Sequence, residues 1–210
     1  MTMPSSGSAT RFAPTTSDPM EEERVIASIH RSIQAKMAVG ELLAPRIALA
    51  AERIATTFLR NGKLLVCGVG VGRYLAGSLR HGVARGFHFA RPALPVILLD
   101  DYVDPSIPEG DLVGLQVRAL GQPDDCLALV SPGSAPASLA GALRAARGRN
   151  IPCILFSGPG DDRMAAELDD ADIELSPATD NQGHAQEIHL TAIFCLCELI
   201  EHHLFGGSAT

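Results

Sequence analysis

Four short apolar runs, at 63–67, 95–99, 126–130 and 153–156, with an edge strand at 172–175, constrain this chain more than any other feature. The four runs are too short and too apolar for surface helices, and Gly, Pro or Asn punctuates their ends. Between them lie helix-period segments at 73–85, 111–120, 136–147 and, more weakly, 162–168. Apolar strands alternating with helices predict an α/β fold, a three-layer sandwich around a five-stranded parallel sheet covered on both faces. Ligands of such folds sit outside the strand C-termini, here the loops at 68–72, 100–110, 131–135 and 157–161.

The first of those loops is the most suggestive. Gly68-Val69-Gly70-Val71-Gly72-Arg73 breaks a buried-looking strand and opens a helix. Glycines there let backbone amides approach an anion, and the helix N-terminus adds a favourable dipole. A phosphorylated small molecule is the ligand such a loop suggests. Yet no Ser, Thr or Lys stands in it. The glycine spacing misses the dinucleotide fingerprint by one residue, and Asp100-Asp101 lies too far downstream to complete it.

Two amphipathic helices are expected ahead of the sheet. Val25, Ile29, Ile33 and Met37 form one stripe over 21–39; Leu43, Ile47, Ala51, Ile54 and Phe58 form another over 42–60, ending at Asn61-Gly62. A final helix over about 184–204 is apolar on nearly every face, which one sheet surface cannot cover. Together these helices predict a homo-oligomer, with the last one used in oligomerisation. Residues 21–205 read as a single domain, 1–20 as a disordered tail rich in Ser, Thr and Pro, and 206–210 as a flexible end. The tail lacks a signal peptide's apolar core, no apolar run approaches a membrane span, and the five cysteines all lie in apolar runs without metal spacing. Cytoplasmic residence, no membrane partner, buried structural thiols, no cofactor and no metal are the corresponding expectations. A net charge of −7, no Trp and 4% aromatic residues argue against direct nucleic-acid binding, and Arg73, Arg80, Arg85 and Arg91 read as solvated charges as readily as an anion site.

In their order and spacing, several segments across 22–205 resemble the sugar isomerase (SIS) domain family. They are Asn61-Gly62-Lys63 leading into the Cys-Gly-x-Gly loop, Arg91-Pro92-Ala93-Leu94-Pro95, Gln116-Val117-Arg118-Ala119-Leu120-Gly121, and Gln186-Glu187-Ile188-His189. The resemblance is to the branch holding phosphoheptose isomerase and the replication-initiator-associating protein DiaA. The ending from Cys195-Leu196-Cys197-Glu198 through Leu204-Phe205 is closest to the latter.

The resemblance implies phosphosugar-binding candidates at Gly68, Gly70, Gly72, Arg73, Ser131, Ser134 and Gln186. The departures are as telling. The phosphate-binding serine of the first loop becomes Gly72 and its asparagine Val69, while the second loop shortens to Ser131-Pro132-Gly133-Ser134. The isomerase's acid–base glutamate and histidine fall on Gly82 and Phe194, and its helical metal-site histidine on Ser78. No catalytic residue is therefore assigned. His81 and His189 stand near the lost positions, but helix neighbours point about 100° apart, so His81 is expected to face elsewhere. Asp100, Asp101 and Asp104 would repel a phosphate.

The sequence thus favours a non-catalytic, DiaA-like homotetramer that binds the replication initiator DnaA, with Leu204 and Phe205 as the contact. A phosphosugar-binding sensor or a phosphoheptose isomerase-like enzyme is the alternative.

Overall fold

Strand and helix alternate along the chain in this computed structural model, which describes residues 18–99, 112–131, 133–134 and 136–206. The order is α1 (Pro19–Leu59), β1 (Leu64–Gly68), α2 (Gly72–Arg85), β2 (Val96–Leu98), α3 (Leu112–Leu120), β3 (Cys126–Val130), α4 (Ala137–Arg147), β4 (Cys153–Phe156), α5 (Asp162–Ala165), β5 (Ile173–Leu175) and α6 (Gln182–Phe205). All five strands are parallel, in the order β2-β1-β3-β4-β5. The chain steps outward from β1 to β2, then turns back past β1 to β3. The crevice this reversal opens lies between the C-terminal ends of β1 and β3.

The expected three layers are present. Alternate strand residues feed opposite faces, as the pleat requires. Leu64, Val66, Ala128, Val130, Ile154 and Phe156 pack with Ile54 of α1, Leu75 and Leu79 of α2, and Ile193, Leu196 and Ile200 of α6. Leu65, Cys67, Leu127, Leu129 and Leu155 pack with Val117 of α3, Leu139 and Leu143 of α4, and Met164 of α5. Strand β1 extends one residue further than the apolar run, because Gly68 pairs with Val130. The weak helix expected over 162–168 closes after a single turn, at Ala165.

The two expected N-terminal helices are one. Helix α1 runs unbroken for 41 residues, straight through Gly40 and Pro45. Pro45 cannot donate to the carbonyl of Glu41, but both residues are exposed and water can serve that carbonyl. From Val39 onward α1 contributes to the core; before it, no described residue is buried. Two apolar contacts, Val39 and Leu43 on Ile188, and a polar one, Lys36 and Ser32 on Glu187, tie α1 to α6. Those donors hold the Glu187 carboxyl below its ordinary pKa, with burial opposing them only weakly.

Helix α6 requires a second correction. By length and composition it could cross a membrane, contrary to the expectation that no segment approaches a span. Part of its apolar surface is taken up by the fold, since Ile188, Ala192, Ile193, Leu196, Cys197 and Ile200 are buried, while Phe194 and Phe205 stay exposed. The tail at 1–17, the acidic loop with Asp100, Asp101 and Asp104, and Pro132 lie outside the described residues.

Candidate functional site

The glycine loop after β1 is shaped by packing as much as by any ligand. Gly70 is left-handed, with φ 56°. A Cβ on Gly68 would stand 2.1 Å from the Gly72 carbonyl oxygen, and one on Gly72 would stand 2.3 Å from that of Val130. The start of α2 is pressed onto β1 and β3 more tightly than any side chain allows. A serine side chain at position 72 would meet that contact. The amides of Gly72, Arg73 and Tyr74 donate to the carbonyls of Val69, Gly70 and Val71, so the first turn uses its own donors. An anion here is left with the amides of Val69 to Val71, the helix dipole and the exposed Arg73.

The second loop is likewise turned inward. Ser131 is buried, and its hydroxyl donates to Asp161 Oδ1 at 2.7 Å while accepting from the Gly133 amide at 3.2 Å. Asp161 Oδ2 accepts from the Gly158 amide at 2.8 Å, so one buried carboxylate clamps the loops after β3 and β4 together. Ser134 is exposed beside them. Beneath this clamp lies His189, its Nε2 3.3 Å from the Leu175 carbonyl oxygen and its ring edge-on to Phe156. Burial pushes its pKa down to about 4 against the pull of the Leu175 and Ser157 carbonyls, leaving a neutral imidazole. Neighbouring Ser157 donates to Glu174 at 2.6 Å.

A cavity of about 390 Å³ runs along α2 from Arg73 and Tyr74, beside the glycine loop, to Gly82, with α6 as its far wall. Ser78, His81, Phe87, Phe194 and Cys197 complete the lining. This is where the resemblance locates the family's acid–base and metal groups. Phe87 and Phe194 stack at 5.3 Å between centroids, and a Cβ on Gly82 would meet Cys197 Sγ at 2.5 Å. Cys197 thus fills the space beside Gly82, and the Phe87–Phe194 pair walls the cavity next to it. His81, expected to face away, lines this cavity. Burial pushes the Cys197 thiol up to about 12, with Glu201 adding to the effect and Arg91 opposing it.

Glu201 and Arg91 brace the far end. Arg91, read from sequence as readily as a solvated charge as part of an anion site, has a buried side chain bonded at 3.0 Å through Nε to Glu201 Oε1. Glu201 also accepts the amides of Phe87 at 2.6 Å and His88 at 3.0 Å, and Arg91 donates to the Gly82 and Val83 carbonyls. Burial works to raise the Glu201 carboxyl, but these donors outweigh it and hold the group below its ordinary pKa. The result fixes the loop that carries Phe87 over the cavity. Nothing local in the sequence singles out Glu201 or Asp161; an acid within an apolar helix was the one available sign.

Of the remaining candidates, Gln186 is half-buried two turns before Phe194 and does not line the cavity. Leu204 packs against the core, while Phe205 is 41% exposed, edge-on to Phe89 and beneath Arg91. A larger cavity of about 600 Å³ lies at the opposite pole, where the strands begin. Two of its acids serve the fold, Asp125 with Lys63 and Asp172 with the Cys153 amide, and it lies away from the strand C-terminal ends, so the α2–α6 cavity is the better ligand site. The metal implied by the resemblance does not fit here: Ser78, Gly82, Gln186 and Phe194 make no ligand set. Among the described residues, no three of His, Cys, Asp and Glu converge as one would.

No protein-family model matches the chain. A phosphoheptose isomerase from Alkalilimnicola ehrlichii is 33% identical over 192 residues, spanning 89% of this chain and 98% of that protein. The structure of a phosphoheptose isomerase from Francisella tularensis matches with a TM-score of 0.78 at 27% identity, over 87% of this chain and 98% of that one. One from Neisseria gonorrhoeae matches at 0.70 and 26%, over 86% and 98%. With end-to-end likeness in sequence and fold, the chain belongs to the phosphoheptose isomerase family of sugar isomerase (SIS) domain proteins.

Proposed function

We propose that this chain is a phosphosugar isomerase of the phosphoheptose class, binding a ketose phosphate such as sedoheptulose 7-phosphate in the α2–α6 cavity. The observation that carries the reading is that cavity, with the cationic Arg73 beside the glycine loop and hydroxyl and imidazole groups along its floor. The phosphate belongs at Arg73 and the start of α2, where guanidinium and helix dipole act together. The sugar then lies along Ser78 and His81, against the apolar Phe87–Phe194 wall. The end-to-end relatives named phosphoheptose isomerase favour this enzyme over the DnaA scaffold that the sequence put first.

The test is conversion of sedoheptulose 7-phosphate followed by NMR, with Arg73→Ala beside the parent. Turnover with KM raised about tenfold in the variant supports the reading. Absence of turnover and of calorimetric binding in the parent rejects it.

Self-association belongs to the same proposal. Val25, Ile29, Ile33 and Met37 are 48–75% exposed along one face of α1, a stripe that a second copy of the chain would cover. A homotetramer in the cytoplasm is the assembly proposed, and the five free thiols suit a reducing compartment.

The exposed Phe205 keeps a second reading alive, a DnaA-binding scaffold whose contact is the end of α6. Saturable binding to immobilised DnaA N-terminal domain, lost in Leu204→Ala/Phe205→Ala, would support it; no binding by the intact parent rejects it.

A further inference from the structure

The isomerase reading leaves a gap: Gly82 and Phe194 cannot move a proton. The geometry points to His81 as the catalytic base of this site, an inference that rests on the isomerase reading and deepens it. Four ionisable side chains line the α2–α6 cavity, Arg73, Tyr74, His81 and Cys197. A guanidinium never deprotonates near neutrality, and a phenol does so only well above it. The Cys197 thiol is held uncharged by its burial. An imidazole is the one group of the four whose ordinary titration range spans working pH, so that it can take a proton and return it within one turnover.

Position supports the assignment. His81 adjoins Gly82, where the family's glutamate falls, and shares the cavity floor with Ser78 one turn earlier. It is exposed and also borders a shallow second cavity with Arg85, Phe87 and His88, so water reaches it. Among the described residues, the charged and titratable groups that share a cavity lining with it are Arg73, Tyr74 and Arg85 on its own helix, His88 in the following loop and Cys197 across on α6.

The step balances without a further reagent. Neutral His81 takes a proton from C1 of the ketose phosphate. The electron pair of that C–H bond becomes the C1–C2 double bond of the enediol, and the former carbonyl oxygen takes a proton from water. The O1 hydroxyl then returns a proton to water as the C1 carbonyl forms, and the imidazolium delivers its proton to C2. Ketose and aldose have the same formula, so nothing is oxidised or reduced overall.

The experiment compares the parent with His81→Gln and His81→Glu, following sedoheptulose 7-phosphate by NMR in deuterated buffer across pH 5–9. The result expected is a parent profile with an inflection in the imidazole range. His81→Gln should lower kcat by 10²-fold or more, with KM changed less than about threefold. His81→Glu should recover part of kcat, with the inflection moved toward carboxylate pH. A merely structural role would move neither the inflection nor the kcat/KM split. If His81→Gln keeps kcat within about threefold, the base assignment is overturned and the isomerase reading stands. If the parent binds the sugar phosphate by calorimetry but never exchanges its C1 proton, the base is overturned and only the ligand reading survives. If it neither binds nor converts, both fall.

Discussion

At the scale of single residues, Gly72 is where substrate chemistry and packing collide. Its α-carbon sits where a Cβ would be 2.3 Å from the Val130 carbonyl oxygen, a backbone neighbour that cannot rotate away. The serine that the resemblance places at this position should therefore not fit. Gly72→Ser is expected to lose about 1–3 kcal/mol of stability through overpacking, read as a lower urea midpoint, without tighter sugar-phosphate binding. A variant as stable as the parent would show that α2 can retreat from β3. Gly82 follows the same logic, since Cys197 Sγ fills the space of its missing side chain. Both glycines are plain in the sequence, yet their reasons are not, because the atoms they make room for lie 58 and 115 residues away along the chain.

At the scale of elements, α1 and α6 carry most of the consequences. The stripe on α1 was legible from a four-residue period at Val25, Ile29, Ile33 and Met37. Its exposure on the single chain was not, since period alone does not say what covers a face. Ile29→Asp with Ile33→Asp is expected to convert the proposed oligomer to monomers by light scattering while leaving the thermal unfolding of the single chain cooperative. An oligomer that survives the pair of charges removes this stripe from the interface. The join at Gly40–Pro45 escaped sequence reading for a related reason. A helix-breaking signal is a local cost of a few kcal/mol, and α1 meets it at exposed positions while its later turns bury Ala50, Ala51 and Ile54 against the sheet.

At the scale of the whole molecule, His189 couples the fold to pH. It is 2% exposed, with its pKa pushed from 6.5 to about 4 in the folded chain. Above pH 6.5 the imidazole is neutral in both states and its contribution to stability is full. As pH falls from 6.5 towards 4 the unfolded chain takes up a proton that the native chain refuses. Stability then declines by about 1.4 kcal/mol per unit, to a total of about 3 kcal/mol. His189→Gln should flatten that slope in urea titrations at pH 7 and pH 4.5; an equal slope in parent and variant would assign the acid sensitivity elsewhere. What the sequence alone determined is the layered sheet: five strands, their partner helices and the loops at their ends. These follow from run length, apolar period and glycine punctuation, each a property of a few neighbouring residues. Only the tertiary structure decided which polar groups meet. It paired Ser131 with Asp161 and Arg91 with Glu201, turned His81 into the cavity, and packed Cys197 against Gly82 and Phe194 against Phe87. Such meetings join segments far apart in the chain, and they are set by how closely helices and sheet approach, which no local pattern encodes.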